Sequence, residues 1–204
     1  MKLHWSPRSP FVRKVMIVAH ETGLASRIAC VRTVAIMNEP NPLLLADNPL
    51  NKIPTLVLDD GTALYDSRVI CEYLDTLHTQ TRLFPPAGNE RLTALRRQAL
   101  GDGLLDLLVL WRNERNRPPE KQSSSHLAAF ATKFCASLSL LEGESAALAN
   151  AEFGIGHIAI GCALSYLDFR FAAENWRDGH PRLAAWHAAF EARPSAKATE
   201  IIDA

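Results

Sequence analysis

The sequence predicts two domains, an α/β domain followed by an all-helical domain. Up to about Leu77, short runs of β-type residues alternate with segments of helical periodicity. Beyond about Asn89 the chain is rich in alanine and leucine, and every long segment has helical periodicity. The stretch Leu83–Pro86 ends in two prolines and is typical of a linker. We therefore expect an α/β domain over residues 1–80, a linker over 81–89 and a helical domain over 90–204.

A strand, a helix and a second strand are predicted at the start of the α/β domain. Lys2–Ser6 has the composition of a short strand. Ser9 suits the N-cap of a helix and Pro10 its first position, whereas Gly23 is a typical end. Ile28–Val34 is the second predicted strand. Because a helix joins the two strands, we expect them to be parallel, with a right-handed crossover.

A loop, a hairpin and a capped helix are predicted next. Asn38–Asn51 contains three prolines and is expected to form a loop with one turn of helix. Thr55–Tyr65 contains two β-type runs around a turn with Gly61, which predicts a β-hairpin. Asp66 and Ser67 then begin a helix with a regular apolar face. The resulting order, β-α-β-loop-β-β-α, is that of a thioredoxin-like domain.

Four long helices are predicted in the second half of the chain. Their apolar residues recur at helical spacing, and the sequence contains no repeats or low-complexity tracts. The expected helices span Glu90–Asn113, Ser124–Glu142, Ile155–Ala173 and Pro181–Ala192.

The composition argues against several classes of function. The 22 basic and 22 acidic residues balance, whereas a nucleic-acid-binding protein needs a concentrated basic surface. No apolar run reaches the roughly 18 residues that indicate a membrane span. The N-terminus lacks the apolar core of a secretory signal, so we expect a cytoplasmic protein. The four cysteines and seven histidines lack the spacing of a redox pair or a metal site, so no metal is expected.

Three short motifs carry candidate binding chemistry, and each taken alone also has a purely structural explanation. A Ser9 hydroxyl at a helix N-terminus either caps the helix or donates a hydrogen bond to a thiolate, which the helix dipole also favours. Ile53 before Pro54 either begins a strand or presents its backbone to an extended peptide. Asp66 and Ser67 either cap a helix or hold the ammonium and carboxylate of an α-amino acid. Together the motifs provide sites for the three parts of glutathione.

Six motifs also resemble, in order and spacing, those of one known family. They are Ser9–Lys14, Asn48–Leu56, Asp66–Ile70, Asp102–Asp106, Glu114–Pro118 and His180–Trp186. Over essentially its whole length the sequence resembles the bacterial cytosolic glutathione transferases, and it is more similar to a Ser-type branch than to the Cys-type beta class. The resemblance implies a thioredoxin-like N-terminal domain, an all-α C-terminal domain and a homodimer.

The resemblance assigns each motif residue of the first domain a part in holding glutathione as co-substrate. Ser9 would activate the thiol, and Ile53, ahead of a cis Pro54, would pair its backbone with the cysteinyl part. Lys52 would approach the glycyl carboxylate. The γ-glutamyl end would be held by Asp66 and Ser67, with Arg68 as a neighbour.

The resemblance also implies a second-substrate cleft between the two domains. The cleft would be lined by the loop after the first strand and by the first long helix. The candidates on the helix are Trp111, Arg112 and Arg115, and Trp5 or Arg8 would lie on the other side. A buried Trp111 and solvated arginines are the structural alternative.

One departure from the family pattern lies at the start of the predicted core helix. Gly154 and His157 stand where the family usually has a Ser or Thr N-cap and an Asp three residues later. We expect the reciprocal hydrogen bonds of a capping box to be lost, at about 1 kcal/mol or less. A protonated His157 would also face the unfavourable end of the helix dipole. The change is therefore expected to affect stability and pH sensitivity rather than glutathione binding.

The sequence favours an enzyme that conjugates the glutathione thiolate to a small hydrophobic electrophile. Isomerisation, dehalogenation or peroxide reduction with glutathione are alternatives at the same site. A non-catalytic binding or regulatory protein of the same fold is a further alternative. Retention of the glutathione motifs argues against the non-catalytic role. A disulfide reductase is disfavoured because the loop at Ser9 lacks thiols.

Overall fold

The computed structural model describes residues 1–79 and 82–203 and forms two compact units. One unit comprises Met1–Arg91 together with Pro194–Ala204, and the other comprises Leu92–Arg193. The predicted fold class, a thioredoxin-like domain followed by a helical domain, is confirmed. The predicted boundary between Gln80 and Thr81, and the last residue Ala204, lie outside the described residues.

The first unit is built on a four-stranded mixed sheet in the order β2-β1-β3-β4. Its strands are β1 Lys2–Trp5, β2 Ala29–Arg32, β3 Thr55–Val57 and β4 Ala63–Leu64. The central strand β1 pairs in parallel with β2 and antiparallel with β3, and β3 pairs antiparallel with β4. The predicted parallel pair and the predicted hairpin are therefore both present.

Helices and buried aliphatic side chains complete the first unit. Its helices are α1 Pro10–Glu21, α2 Pro42–Asp47 and α3 Ser67–Thr76, together with α8 Pro194–Lys197 near the C-terminus. α1 packs against both α3 and α8. Leu3 and Leu56 from the sheet, Val15 from α1 and Ile70 from α3 are fully buried. α1 ends before Gly23, whose φ of +71° is the left-handed conformation that glycine adopts at low cost.

The segment after residue 193 differs from the sequence prediction, which placed it in the helical domain. In the structure it lies against α1: Arg13 donates a hydrogen bond of 3.2 Å to the carbonyl of Ala196, and Ser195 donates one to Glu21. Both contacts join residues more than 170 positions apart in sequence. A helix of four residues has too little periodicity to reveal its packing partner, so the prediction could not assign it.

The predicted linker also packs into the first unit. The carboxylate of buried Asp75, in α3, accepts hydrogen bonds from the backbone amides of Leu83 at 2.8 Å and Phe84 at 3.2 Å. Leu83 and Phe84 are themselves buried. Two hydrogen bonds from backbone amides to one buried carboxylate hold this segment against α3, so it is not a solvated linker.

Four long helices form the second unit and its adjoining segment. They are α4 Gly88–Arg115, α5 Ser124–Asn150, α6 Ile155–Arg170 and α7 Pro181–Glu191. The prediction ended α5 at Glu142. In the structure the helix continues through Gly143 to Asn150. α6 is the central helix: it is buried from Ile155 through Leu167.

Close contact between α4 and α6 depends on glycine. A β-carbon added at Gly101 of α4 would lie 2.5 Å from the backbone carbon of Ala159 in α6. Any side chain at this position would force the two helix backbones apart. Gly101 therefore fixes the distance of closest approach between these helices.

The capping box at the start of α6 was expected to be lost, but one of its two hydrogen bonds is present. The amide of Gly154 donates a hydrogen bond of 3.1 Å to Nδ1 of His157, so the bond from the third helical residue back to the N-cap is retained. Nε2 of the same imidazole lies 3.0 Å from the carbonyl of Leu148, to which it donates. Only the bond from an N-cap side chain is missing, because glycine has none.

The hydrogen bonds of His157 require the neutral imidazole, with Nδ1 as acceptor and Nε2 as donor. Burial lowers the pKa of His157 below its ordinary value, and the charges of Arg97 and Arg193 lower it further, against the opposing effect of the bond to Leu148. Because the imidazole is held neutral, the unfavourable interaction expected between a protonated His157 and the helix dipole does not arise.

Replacing His157 with alanine should lower the free energy of unfolding by about 2 kcal/mol at neutral pH, because both hydrogen bonds are lost. A lowered folded-state pKa gives stability that is complete above the ordinary pKa of about 6.5 and is lost as the pH falls through the lowered value. The difference between wild type and His157→Ala should therefore shrink between about pH 7.5 and pH 5.

Urea unfolding at the two pH values measures this difference. His20→Ala, at an exposed position of α1, is the matched control. It should leave the free energy of unfolding unchanged at both pH values. A difference that does not vary with pH would show that the protonation of His157 is not linked to folding.

Candidate glutathione site in the first unit

Ser9 occupies the N-cap of α1, as predicted. Its Oγ accepts a hydrogen bond of 3.3 Å from the amide of Val12, and Pro10 is the first helical residue. The first turn of α1 contains no acidic residue that would oppose an anion. Because Oγ acts as the acceptor in the capping bond, its proton can still be donated to a ligand. The structural and the chemical interpretations of Ser9 are thus compatible.

Lys52, Ile53 and Pro54 lie immediately before β3. The Ile53–Pro54 peptide bond is cis. The carbonyl of Lys52 accepts hydrogen bonds from Asn48 at 3.1 Å and from Thr55 at 2.8 Å, which fixes the backbone at this point. Within residues 1–79 and 82–203, neither the amide nor the carbonyl of Ile53 has a hydrogen-bond partner. Ile53 is therefore able to pair with an extended peptide.

Asp66 forms the N-cap of α3, and Ser67 is the first residue of that helix. An Oδ1 of Asp66 accepts a hydrogen bond of 2.9 Å from the amide of Arg68. Asp66 and Arg68 are exposed, whereas Ser67 is buried. One oxygen of the Asp66 carboxylate serves the cap, which leaves its charge and second oxygen for a cationic group in solvent.

Strand pairing brings the three motifs to one edge of the sheet. His4, near the end of β1, lies opposite Thr55 at the start of β3, and Leu56 lies opposite Leu64 at the end of β4. The segments that leave or enter these strands must share this edge. The N-terminus of α1 with Ser9, the turn with Ile53, and the N-terminus of α3 with Asp66 are therefore neighbours. The motifs that are separate in sequence are thus candidates for a single binding site.

The second-substrate candidates of the first unit lie near this edge. Trp5 ends β1 and is half-buried. Arg8 is exposed, and its Nε lies 2.9 Å from Oδ1 of Asp203. The sequence could not predict this ion pair, because the two residues meet only when the C-terminal segment lies against α1.

The second-substrate candidates of the helical unit have three different environments. Trp111 is 3% exposed and packs in the core, with ring centroids 5.6 Å from Phe134 and 5.2 Å from Phe171. Arg115 lies 4.2 Å above the Trp111 ring and forms an ion pair with Glu174. Arg112 is half-buried. Their part in binding a second substrate stays a prediction.

Two further properties of the chain bear on its class. In the described part of the chain, no group of three or more His, Cys, Asp and Glu side chains is arranged to hold a metal ion. Across residues 1–79 and 82–203, none of the helices combines the length and apolar character that a membrane crossing requires.

Comparison with known proteins agrees with the fold. Residues 8–77 match the family model described as the N-terminal domain of glutathione S-transferase, and residues 124–189 match the model of its C-terminal domain. The chain is 33% identical, over 90% of its length and 90% of the relative's, to the uncharacterised GST-like protein YibF of Escherichia coli K12. The chain therefore belongs to the glutathione S-transferase family.

Solved structures of bacterial members are similar along the whole chain. A glutathione transferase family member from Pseudomonas fluorescens Pf-5, with bound glutathione, has 44% identity and a TM-score of 0.96, covering 98% of each chain. A second structure of that target, with bound S-(propanoic acid)-glutathione, has 43% identity and a TM-score of 0.89, covering 99% of this chain and all of the other. A glutathione S-transferase from Methylobacillus flagellatus, with glutathione bound, has 35% identity and a TM-score of 0.88, covering 98% and 99%.

Replacing Asp66 with alanine should lower the free energy of unfolding by about 1 kcal/mol, because the N-cap of α3 is lost. Asp66→Asn should change it little, since asparagine caps helices about as well as aspartate. Thermal and urea unfolding of both variants measure the effect. Equal losses for the two substitutions would show that charge, and not the capping bond to Arg68, is what Asp66 contributes to stability.

Proposed function

We propose that this protein is a glutathione transferase that uses the glutathione thiolate as a nucleophile towards a small hydrophobic electrophile. The observation that carries the proposal is the shared sheet edge, where a serine N-cap, an unpaired backbone at Ile53 and the Asp66 N-cap are neighbours. Bound glutathione in similar bacterial structures supports it.

Each part of glutathione has a chemical counterpart at this edge. The γ-glutamyl end has an ammonium that pairs with the Asp66 carboxylate, and a carboxylate suited to the N-terminus of α3 at Ser67 and Arg68. The backbone of the cysteinyl residue pairs with the amide and carbonyl of Ile53, as an added strand does. The glycyl carboxylate is suited to pair with the ammonium group of exposed Lys52.

Activation of the thiol follows from the position of Ser9. A sulfur held beside the Ser9 hydroxyl receives a hydrogen bond that strengthens when the thiol ionises, and the N-terminus of α1 adds positive potential. Lowering the thiol pKa by two units requires about 2.7 kcal/mol of preference for the anion. One charge-assisted hydrogen bond together with the helix dipole supplies about this amount.

The reaction then needs few further groups from the protein. The thiol proton leaves to solvent, and the thiolate sulfur attacks the electrophilic carbon. In a substitution the new C–S bond forms while the leaving group departs with the electron pair of its broken bond. The protein contributes activation of the sulfur and proximity of the two reactants. Glutathione-dependent isomerisation, dehalogenation or peroxide reduction would begin from the same activated thiolate.

The finer properties of the protein belong to the same proposal. We propose a cytoplasmic homodimer with glutathione and an electrophile as ligands. Exposed apolar side chains on the helices, such as Val69 of α3 and Leu92 and Leu110 of α4, support a subunit interface. The balanced charge of the chain supports a role that does not involve nucleic acid.

Replacing Ser9 with alanine should raise the pKa of enzyme-bound glutathione by about one to two units and lower kcat/KM at neutral pH by about 10- to 100-fold, because the hydrogen bond to the thiolate is lost while the dipole of α1 remains. The ultraviolet absorbance of bound thiolate across pH measures the pKa. Conjugation of a chloronitrobenzene measures the rate.

Two further variants separate activation from folding. Ser9→Gly should show the same loss of activation while keeping most of the cap, since glycine at an N-cap costs only a few tenths of a kcal/mol. Ser139→Ala, at an exposed position of α5, should behave as wild type. Glutathione binding without a lowered thiol pKa in the wild type would leave a binding protein, and no binding at millimolar glutathione would refute the proposal.

Asp66→Asn should weaken glutathione binding by about tenfold while leaving stability nearly unchanged, because the cap is kept and the charge that pairs with the ammonium is lost. Isothermal titration calorimetry with glutathione measures the affinity. The matched control is Asp60→Asn, an exposed aspartate in the β3–β4 turn. An unchanged affinity in Asp66→Asn would remove Asp66 from the proposed site.

A further inference from the structure

The C-terminal segment (residues 194–203) runs along α1 in the opposite direction. It begins at the end of α1, where Ser195 donates a hydrogen bond to Glu21. Ala196 then accepts a hydrogen bond of 3.2 Å from Arg13, which is close to the start of the helix. These contacts lie within one compact unit, so that unit alone fixes the direction of the segment. The segment therefore leads towards the N-terminus of α1.

An ion pair joins the segment to the residue before the N-cap of α1. Nε of Arg8 lies 2.9 Å from Oδ1 of Asp203. Arg8 itself is part of a turn, in which the amide of Ser9 donates a hydrogen bond of 3.2 Å to the carbonyl of Ser6. Consecutive Cα atoms are about 3.8 Å apart, so even an extended arginine side chain keeps the guanidinium within about 13 Å of the Ser9 hydroxyl.

The pair changes the charge at the start of α1. The N-terminus of a helix favours an anion, and the first turn of α1 contains no acidic residue. The positive charge of Arg8 alone would add to this preference. Asp203 supplies, from a distant part of the sequence, the carboxylate that the first turn lacks, and it cancels the charge of Arg8. The start of α1 therefore favours a thiolate less than the sequence around Ser9 implies.

The pair is exposed, so its effect depends on ionic strength. The side chains of Arg8 and Asp203 are 51% and 58% exposed. Ion pairs with this exposure are weak, and dissolved salt screens them. Neither side chain belongs to the core, so both can be replaced without unfolding the protein. The charge at this position is therefore open to a direct test.

The other charged groups near this end of the unit stay constant in that test. Arg13 and Lys14, at the start of α1, are buried. Glu200, in the C-terminal segment, is exposed. In the proposed function, Lys52 and Asp66 pair with the two ends of glutathione. Since none of these residues is replaced, a difference between variants reports on the ion pair alone.

We propose that Asp203 is a positioning residue, which weakens the activation of the glutathione thiol by neutralising Arg8 beside Ser9. The inference rests on the proposed function, because it assumes that the thiol lies at Ser9. While the pair is intact, the guanidinium is turned to Asp203 and its charge is cancelled. Once Asp203 is neutral, the guanidinium is released and its charge stabilises the thiolate. Asp203 itself does not contact the substrate.

The pKa of the thiol of enzyme-bound glutathione tests the proposal. The ultraviolet absorbance of the bound thiolate is measured across pH at low ionic strength, where charges act over about 30 Å. Asp203→Asn should lower this pKa by about 0.5, because a positive charge about 10 Å from the sulfur has an effect of this size in a solvated site. In the Arg8→Gln background, the same substitution should change the pKa by less than half as much. Arg8→Gln alone should not lower it, since it removes a cation.

Conservative and matched variants separate charge from packing. Asp203→Glu keeps the carboxylate and should behave as wild type. Asp59→Asn is the matched control: it also removes one negative charge and breaks a surface ion pair, in which Oδ1 of Asp59 lies 2.9 Å from the amino group of Met1. The pairing of Lys2 with Val57 places that pair at the opposite edge of the sheet from the candidate site, so the thiol pKa should not change. At about 1 M salt, where charges act over roughly 3 Å, the differences between variants should disappear.

The outcomes distinguish this inference from the proposed function. A thiol pKa that falls in Asp203→Asn only when Arg8 is present supports the inference. An unchanged pKa in Asp203→Asn, together with the rise expected for Ser9→Ala, would overturn the inference alone. An equal fall in the Arg8→Gln background would also overturn it, because Asp203 would then act without Arg8. A wild type that binds no glutathione, or binds it without lowering the thiol pKa, would refute the proposed function and this inference with it.

Discussion

The pairing of β1 with β3 is the interaction on which the candidate site depends. Opposite positions of His4 and Thr55 set the register, and that register decides which turns share an edge of the sheet. Because side chains alternate along a strand, a slip of one residue would move Leu3 and Leu56 out of the core. The packing of the core therefore also fixes where Ser9, Ile53 and Asp66 meet. The stability of the core and the geometry of the candidate site thus have a common physical origin.

Helix ends carry polar and charged groups in both units. In the first unit, the N-termini of α1 and α3 offer amides and hydroxyls to anions, and their capping residues still have unused donors or acceptors. In the helical unit, the C-termini of α4 and α6 hold arginines, as the helix dipole favours. His157 shows the same principle in a structural role, because its neutral imidazole both returns to the N-cap of α6 and joins Leu148. A histidine that replaces an acidic residue thus keeps half of the capping box.

The features that the sequence predicted well depend on neighbours in the chain. Two helix starts were predicted from capping residues, at Ser9 with Pro10 and at Asp66 with Ser67. The structure has both caps. The features that were predicted poorly depend on distant residues. The extension of α5 past Gly143 and the docking of Ala196 on α1 leave no local signal, because packing against other elements stabilises them.

The sequence by itself therefore determined the order of elements, the helix starts and the chemical types of the residues in the candidate glutathione site. Capping, turn formation and apolar periodicity act over fewer than about ten residues, so they can be recognised in the sequence alone. Only the tertiary structure decided that Trp111 lies in the core, that Arg8 meets Asp203, and that Arg115 pairs with Glu174. These contacts join residues far apart in sequence, and their geometry follows from how whole helices and strands pack, which no local pattern encodes.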